Sequence, residues 1–453
     1  MVEPQRVKDL NDTPERSGSY VLYWMQQSQR ASFNPALETA VAFANRLGLP
    51  LLVGFGLTSS YPDANARHYT FMLQGLAEVE AALRERAIGF DLRLGSPERV
   101  AIELAKDAAV LVCDRGYLRH QKAWRDVVAR SVECRVVQVE GDAVVPVEIA
   151  SHASEIGART LRPKILRWRD DFMRPLRAQK VAISADKLDR SRSLDLSDVT
   201  RLVAELRIDH AVGPVSRFIG GTREAQRRLR QFTTRALVNY AEARSEPAKA
   251  QVSFLGAYLH FGQISPVQIA LAIRDAAADQ PDRAAYLDEL IVRRELAINF
   301  VEYAPSYDTY DAVPSWARDT LERHRKDPRP HLYDIDELKA AATADPYWNA
   351  AMREMVVTGY MHNHMRMYWG KKILEWTNAP EQAFATALAL NNRYFLCGRD
   401  PSSYANIGWC FGLHDRPWPQ RPIFGTVRSM TAAGLRRKTD IDAYVERVEE
   451  LCA

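Results

Sequence analysis

From Tyr20 to Val139 the chain alternates short apolar runs with longer amphipathic stretches, the rhythm of a parallel sheet covered by helices. The runs are YVLYWM (20–25), LPLLVGFGL (49–57), IGFDLRL (88–94), AVLVCD (109–114) and CRVVQVE (134–140), and each predicts a strand. Segments 35–47, 66–86, 97–107 and 119–131 between them predict helices. This part reads as a doubly wound, Rossmann-like α/β domain, in which ligands sit at the carboxyl ends of strands near a switch in strand order. No GxGxxG follows the first strand, so the fold by itself names no dinucleotide.

The pattern changes after about Pro175. The charged stretch ADKLDRSRSLDLSD (185–198) reads as a linker or exposed excursion. Beyond it strand signals nearly vanish, and segments 222–242, 265–277, 283–303, 345–376 and 379–391 carry helical periodicity. The expected division is an α/β domain over 1–175, a linker over 176–205 and an all-helical domain over 206–453. A chain of 453 residues exceeds what one core usually holds, which agrees with two domains.

Composition narrows the classes. With 47% apolar and 26% charged residues the chain is globular material. Its 61 basic residues face 57 acidic ones, so any basic surface must be local. Cys113, Cys134, Cys397, Cys410 and Cys452 show no CxxC pairing, which argues against a disulfide framework and a structural zinc site and fits a reducing cytoplasm. The N-terminal stretch has no apolar h-region, and no 18-residue uncharged stretch could span a bilayer. A soluble cytoplasmic protein without a membrane partner is expected. His362 and His364 lack an acidic or thiol partner at ligand spacing, so no metal site is expected. The absence of GxxxxGK[ST] excludes a P-loop hydrolase.

Several residues could carry chemistry. Trp348, Trp369, Trp376 and Trp409 fall in a region that also holds His364, Met365, Met367 and Tyr368. On a helix through 353–376, Trp369 lies three residues beyond Arg366 and seven before Trp376, on one face. Core packing is the commoner use of such aromatics, but indole is also the side chain best suited to pass single electrons to a buried flavin. Glu289 stands four residues before Arg293, either as a solvated pair or, if buried, as a carboxylate that holds a proton for a substrate carbonyl. In SFLGAYLHFGQIS (253–265), Ser253 offers a hydroxyl, Gly256 permits close approach and Ser265 caps a helix, although loop punctuation explains these residues equally well. The stretch 390–418, with Asp400-Pro401 and many Gly, Ser and Asn residues, reads as a long functional loop.

Together these segments resemble the class II cyclobutane pyrimidine dimer photolyases of the photolyase and cryptochrome superfamily. The resemblance runs from YWMQQSQRASFNPAL (23–37) through VCDRGYLRHQKAWR (112–125), EIASHASEIGARTLRPKI (148–165) and YLHFGQIS (258–265) to MRMYWGKKILEW (365–376) and the CGRDP…GWCFGLHDRPW region. It implies an antenna-type α/β domain and a helical domain that holds FAD. It further implies a light-driven electron transfer from reduced FAD to a dimer flipped out of double-stranded DNA, performed by a monomer that joins the nucleoid when bound. An antenna chromophore, deazaflavin or folate, is left open.

By position in the matching motifs, the resemblance implies that Glu289 contacts the dimer's carbonyls while Met367 and Trp409 wall its pocket. Asn391 would stand beside flavin N5 and Arg366 near the isoalloxazine, with Tyr240, Ser253, Leu255, Gly256, Arg293 and Asp400 in the FAD cradle. Trp348, Trp369 and Trp376 would carry electrons from the surface. Arg416 would fill the gap that the lesion leaves, and Arg244, Ser245 and Arg428 would touch DNA. Three departures bear on efficiency. Ser245-Glu246 replaces the family's Asn-Asp, Cys397 replaces an acid that pairs with the arginine matched by Arg366, and Gly256-Ala257 replaces Ser-Pro. The alternative is a cryptochrome-like blue-light flavoprotein without repair.

Overall fold

The computed structural model describes residues 2–249 and 251–452. Its N-terminal part is built on six strands: β1 Val7–Asp9, β2 Tyr20–Trp24, β3 Leu51–Leu57, β4 Gly89–Leu94, β5 Ala108–Asp114 and β6 Arg135–Val139. They form one sheet in the order β1-β6-β5-β2-β3-β4. β2 to β6 run parallel, and β2, β3 and β5 are buried along their whole length, as expected of a sheet covered on both faces. β1, antiparallel to β6 with Val7 opposite Val139, is the strand that the pattern misses. Three residues with one apolar side chain give no periodicity to read.

The strand order reverses between β2 and β5, and Asp114 fixes that junction. Its carboxylate accepts from the backbone N–H of Gln26, Gln27 and Ser28 at 2.8–3.2 Å and from the Tyr23 hydroxyl at 2.9 Å. The covering helices are Pro35–Leu47, Ala66–Glu85, Pro97–Ala105 and Arg119–Ser131. The first is capped by Asn34, which accepts from Leu37 N–H at 3.1 Å, with Pro35 in the first turn.

The stretch read as a linker, 176–205, holds a helix, Val199–Glu205, packed on Ala66–Glu85. Upstream of it, Ala185 N–H donates to Ala87 O at 3.0 Å and Leu194 N–H to Leu92 O at 2.7 Å, so the chain runs along β4 and covers the edge of the sheet.

The helical part differs from the periodicity in four places. A π-type turn over Asp288–Arg293 separates the helix Gln280–Leu287 from Arg294–Tyr303, and another over Phe232–Ala236 follows Thr222–Gln231. The stretch 353–376 is not one helix: Pro346–Thr358 ends at Gly359, whose φ of 71° and Cβ position 2.8 Å from Leu396 Cγ suit glycine, and Asn363–Glu375 begins after it. The stretch 390–418 is not one loop, because the helix Pro380–Tyr394 runs into it and Pro401–Cys410 occupies its middle. Asp400 caps that helix by accepting from Ser402 N–H at 2.8 Å, so Asp400-Pro401 is a helix start rather than turn punctuation alone.

The two parts share apolar core, with Phe71 and Val144 packed among Tyr258, Phe261 and Leu296. Polar ties reinforce the joint. Buried Arg30 pairs with Asp142 at 2.6 Å and donates to Gly262 O at 2.9 Å, while Arg67 donates to Tyr394 O and Val356 O, each at 2.6 Å. Gly262 (φ 63°) lies so close to Gln27 O that a Cβ would stand 1.9 Å from it. Among the described residues no helix is long and apolar enough to cross a membrane, and no cluster of His, Cys, Asp and Glu could hold a metal ion.

Candidate active site

The helix Asn363–Glu375 organises the site. Arg366 projects from its first half, 8% exposed, and donates to Asn391 Oδ1 at 2.5 Å and to Ser403 Oγ at 3.4 Å. Its guanidinium stacks 3.8 Å from the Phe395 ring centre, and Cys397 Sγ is 3.9 Å from its Nη1. The partners of this buried cation are therefore all neutral. Asn391 is fully buried, and Asp400 stands 3.5 Å from His260 Nδ1 at the end of the helix Gly256–His260.

A second group faces it. Tyr240 packs edge-on against Phe232 and Tyr286, and the Tyr286 hydroxyl donates to Ser253 Oγ at 2.9 Å. Burial pushes Tyr286 up to about 12, which keeps that hydroxyl a donor. Leu255 is buried and Gly256 exposed. Phe254, between Ser253 and Leu255, meets Tyr360 at 5.0 Å.

The π-type turn re-aims the acidic residues. Glu289 does not pair with Arg293 as helical spacing predicts; it binds Arg244 at 2.5 Å, and Arg293 reaches Asp288 at 3.5 Å instead. Arg293 is the predicted cradle residue that stands apart, with its side chain 54% exposed. Ser245 lies exposed beside Arg244.

The tryptophans do come together. Trp369 and Trp348 stack with ring centres 6.4 Å apart and planes 8° apart, and Trp376 meets Trp348 edge-on at 5.5 Å. The order is Trp369, Trp348, Trp376, with exposures of 0%, 0% and 2%. Trp376 is thus covered rather than at the surface as expected, because Tyr333 packs on it at 5.1 Å and Lys372 lies over it.

On the other side of the same helix, Met367 is buried and Trp409 half-buried. From Trp409 a ladder of rings and cations leads outward. Arg428 lies 5.5 Å from Trp409 and 4.8 Å from Trp418, and exposed Arg416 lies 5.6 Å from Trp418. Beside it opens a cleft of about 550 Å³ lined by His364, Arg421, Arg428, Arg437 and Lys438, with no carboxylate in its wall. Sequence reasoning missed Arg421, Arg437 and Lys438; the run RRK at the end of the helix Ala432–Lys438 was the signal available. A separate cavity of about 80 Å³ lies at the carboxyl ends of β2 and β3, between Phe55, Tyr61, Tyr69, Trp124, His68 and Arg399.

This architecture has close counterparts. The DNA photolyase family pattern matches residues 21–182. A deoxyribodipyrimidine photo-lyase of Methanothermobacter thermautotrophicus is 46% identical over 100% of this chain and 99% of its own. The chain belongs to the DNA photolyase family. An Arabidopsis thaliana relative of the same name is 36% identical over 99% of this chain and 94% of its own. In fold, a bacterial class III photolyase from Agrobacterium tumefaciens matches with a TM-score of 0.74 at 20% identity, covering 96% of this chain and 87% of that one. Membership in this enzyme family agrees with the architecture, a sheet-based part followed by a helical part that holds the aromatic-rich site.

Proposed function

We propose that this protein repairs cyclobutane pyrimidine dimers in double-stranded DNA with blue light, in the manner of the class II enzymes. The observation that carries this reading is the convergence, around the helix Asn363–Glu375, of a buried three-tryptophan stack, the Arg366–Asn391 pair and Trp409 beside a basic cleft.

The site fits FAD on its own features. Arg366 Nε and Trp369 Nε1 are buried without a partner, and a side chain at Gly256 would meet nothing within 4 Å. Tyr240, Ser253, Leu255, Gly256 and Asp400 would line the cofactor, with Arg366 and Asn391 at its ring system. When bound, reduced FAD supplies a light-excited electron. The cavity above β2 and β3 offers an antenna chromophore an aromatic lining.

The remaining work belongs to the chain. Glu289, oriented by Arg244, offers carboxylate oxygens that accept from the pyrimidine N–H groups. Met367 and Trp409 exclude water from the lesion. Arg416 occupies the vacated stack, and Arg244, Arg428 and the cleft cations neutralise phosphates without reading sequence. Trp376, Trp348 and Trp369 relay electrons inward when the cofactor is oxidised.

Product analysis tests the reading. After illumination of the FAD-loaded, reduced protein with an oligonucleotide carrying one dimer, chromatography is expected to show two intact pyrimidines. A protein that photoreduces its flavin and leaves the dimer whole would overturn repair in favour of a light-sensing role.

A further inference from the structure

Lys371 belongs to neither the cofactor lining nor the tryptophan stack, yet it is fully buried, the only buried lysine among the described residues. Its Nζ donates to the Cys410 carbonyl at 2.5 Å and lies 5.2 Å from the centre of the Trp409 ring. Because Trp409 is half-exposed and Lys371 is not, the ammonium sits on the interior side of that ring. Its neighbour Lys372 pairs with Glu375 at 2.8 Å, whereas no carboxylate comes within ion-pair reach of Lys371 among the described residues. The groups that reach it are Cys410 from the helix Pro401–Cys410, Asp415 from the loop that follows and Arg428. From the helices Pro346–Thr358 and Pro380–Tyr394, packed against the same helix, no charged group does.

An ammonium buried with no carboxylate in direct contact, Asp415 acting only from farther off, is costly, and burial pushes its pKa down to about 8. A cation kept at such a cost, directly behind the ring that walls the lesion, suits a negative charge that arrives on the other side of that ring and leaves again. We propose that Lys371 is a positioning residue for repair, an ammonium fixed behind Trp409 that stabilises the electron while it resides on the lesion. This rests on the repair reading given above. The electron comes from excited reduced flavin and returns to it after the two bonds of the cyclobutane ring have broken, so no further oxidant or reductant is consumed. The attraction acts across a dry, low-dielectric wall, where a fixed charge is most effective.

The test measures repaired dimers per absorbed photon in pre-reduced, FAD-loaded protein from pH 6.5 to 9.5, for wild type and Lys371→Met, together with affinity for dimer-containing DNA. In wild type the yield is expected to fall by about threefold or more as pH rises through 8. In Lys371→Met it should already be low at pH 6.5 and flat with pH, while DNA affinity is unchanged. Nitrogen NMR of lysine-labelled, cofactor-free protein adds a readout independent of repair: one Nζ signal should titrate near pH 8 and be missing from the variant. A wild-type yield flat across pH 8, or a Lys371→Met yield equal to wild type, would overturn the proposal. If Lys371→Met does not fold, the wild-type profile and its NMR titration decide by themselves. A wild type that repairs nothing at any pH overturns the repair reading and this proposal with it.

Discussion

The tryptophan stack and the charged rim share one helical domain, yet their surroundings are opposite. Trp348, Trp369 and Trp376 are 0%, 0% and 2% exposed, each held by neighbours that leave one arrangement. Arg416, Arg293 and Ser245 stand in water. The electron path we propose for the stack depends on fixed distances between rings, which the close-packed interior provides. The grip on a polyanion we propose for the rim depends on charges that exchange counter-ions, which the surface provides. The helix Asn363–Glu375 divides the two, with Trp369 on the dry side and Met367 towards the Trp409 wall.

The sharpest way to break this comparison is to damage one side and read the other. Trp369→Phe should slow photoreduction of bound flavin by about tenfold or more while chemically reduced protein still repairs; transient absorption and a repair assay on the same sample check both. Glu289→Ala should give the mirror image, with normal FAD content and photoreduction and a repair yield lower by about tenfold, the weight of one charge-assisted hydrogen bond. On the rim, Arg416→Ala and Arg428→Ala should each weaken DNA binding and reduce the slope of log affinity against log salt by about one, measured by fluorescence anisotropy.

The smallest effect lies at the joint between the two parts, away from both. Glu295 accepts from Val144 N–H at 2.6 Å, and its burial, only partly offset by that hydrogen bond, raises its pKa to about 8. Above its ordinary value of 4.5 the unfolded chain gives up a proton that the folded protein keeps, so the stability this group contributes is complete below 4.5 and lost as pH rises through 8. Glu295→Gln should therefore melt about two degrees higher than wild type at pH 8.5 and the same at pH 4, by calorimetry.

What the sequence showed differs between the two parts for a physical reason. The α/β strands are buried on both faces, so an apolar run marks each of them, and only β1, three residues long, escapes. In the helical part the broad spans were readable but their breaks were not. Gly359 meets Leu396 from far away in sequence, and the π-type turns carry no periodic mark, whereas the Asp400-Pro401 helix start was a local signal read as turn punctuation. Those breaks also set the site: the turn at Asp288–Arg293 moves Glu289 from Arg293 to Arg244. The tryptophans could be picked out as a group, but their order and their cover by Tyr333 could not, because periodicity says which face a ring shares and not which ring it touches. Lys371 gave no signal, since a lysine in a helix next to another lysine reads as solvated surface.

The central claim is that light absorbed by a flavin in this helical domain is spent on a DNA lesion held against Trp409. Its most direct test follows absorbance near the thymine band while reduced, FAD-loaded protein and dimer-containing DNA are exposed to alternating blue light and darkness. Absorbance should climb in every light interval, in proportion to photons delivered, and hold level in every dark one. A trace that stays level in the light, or climbs equally in the dark, would contradict the account.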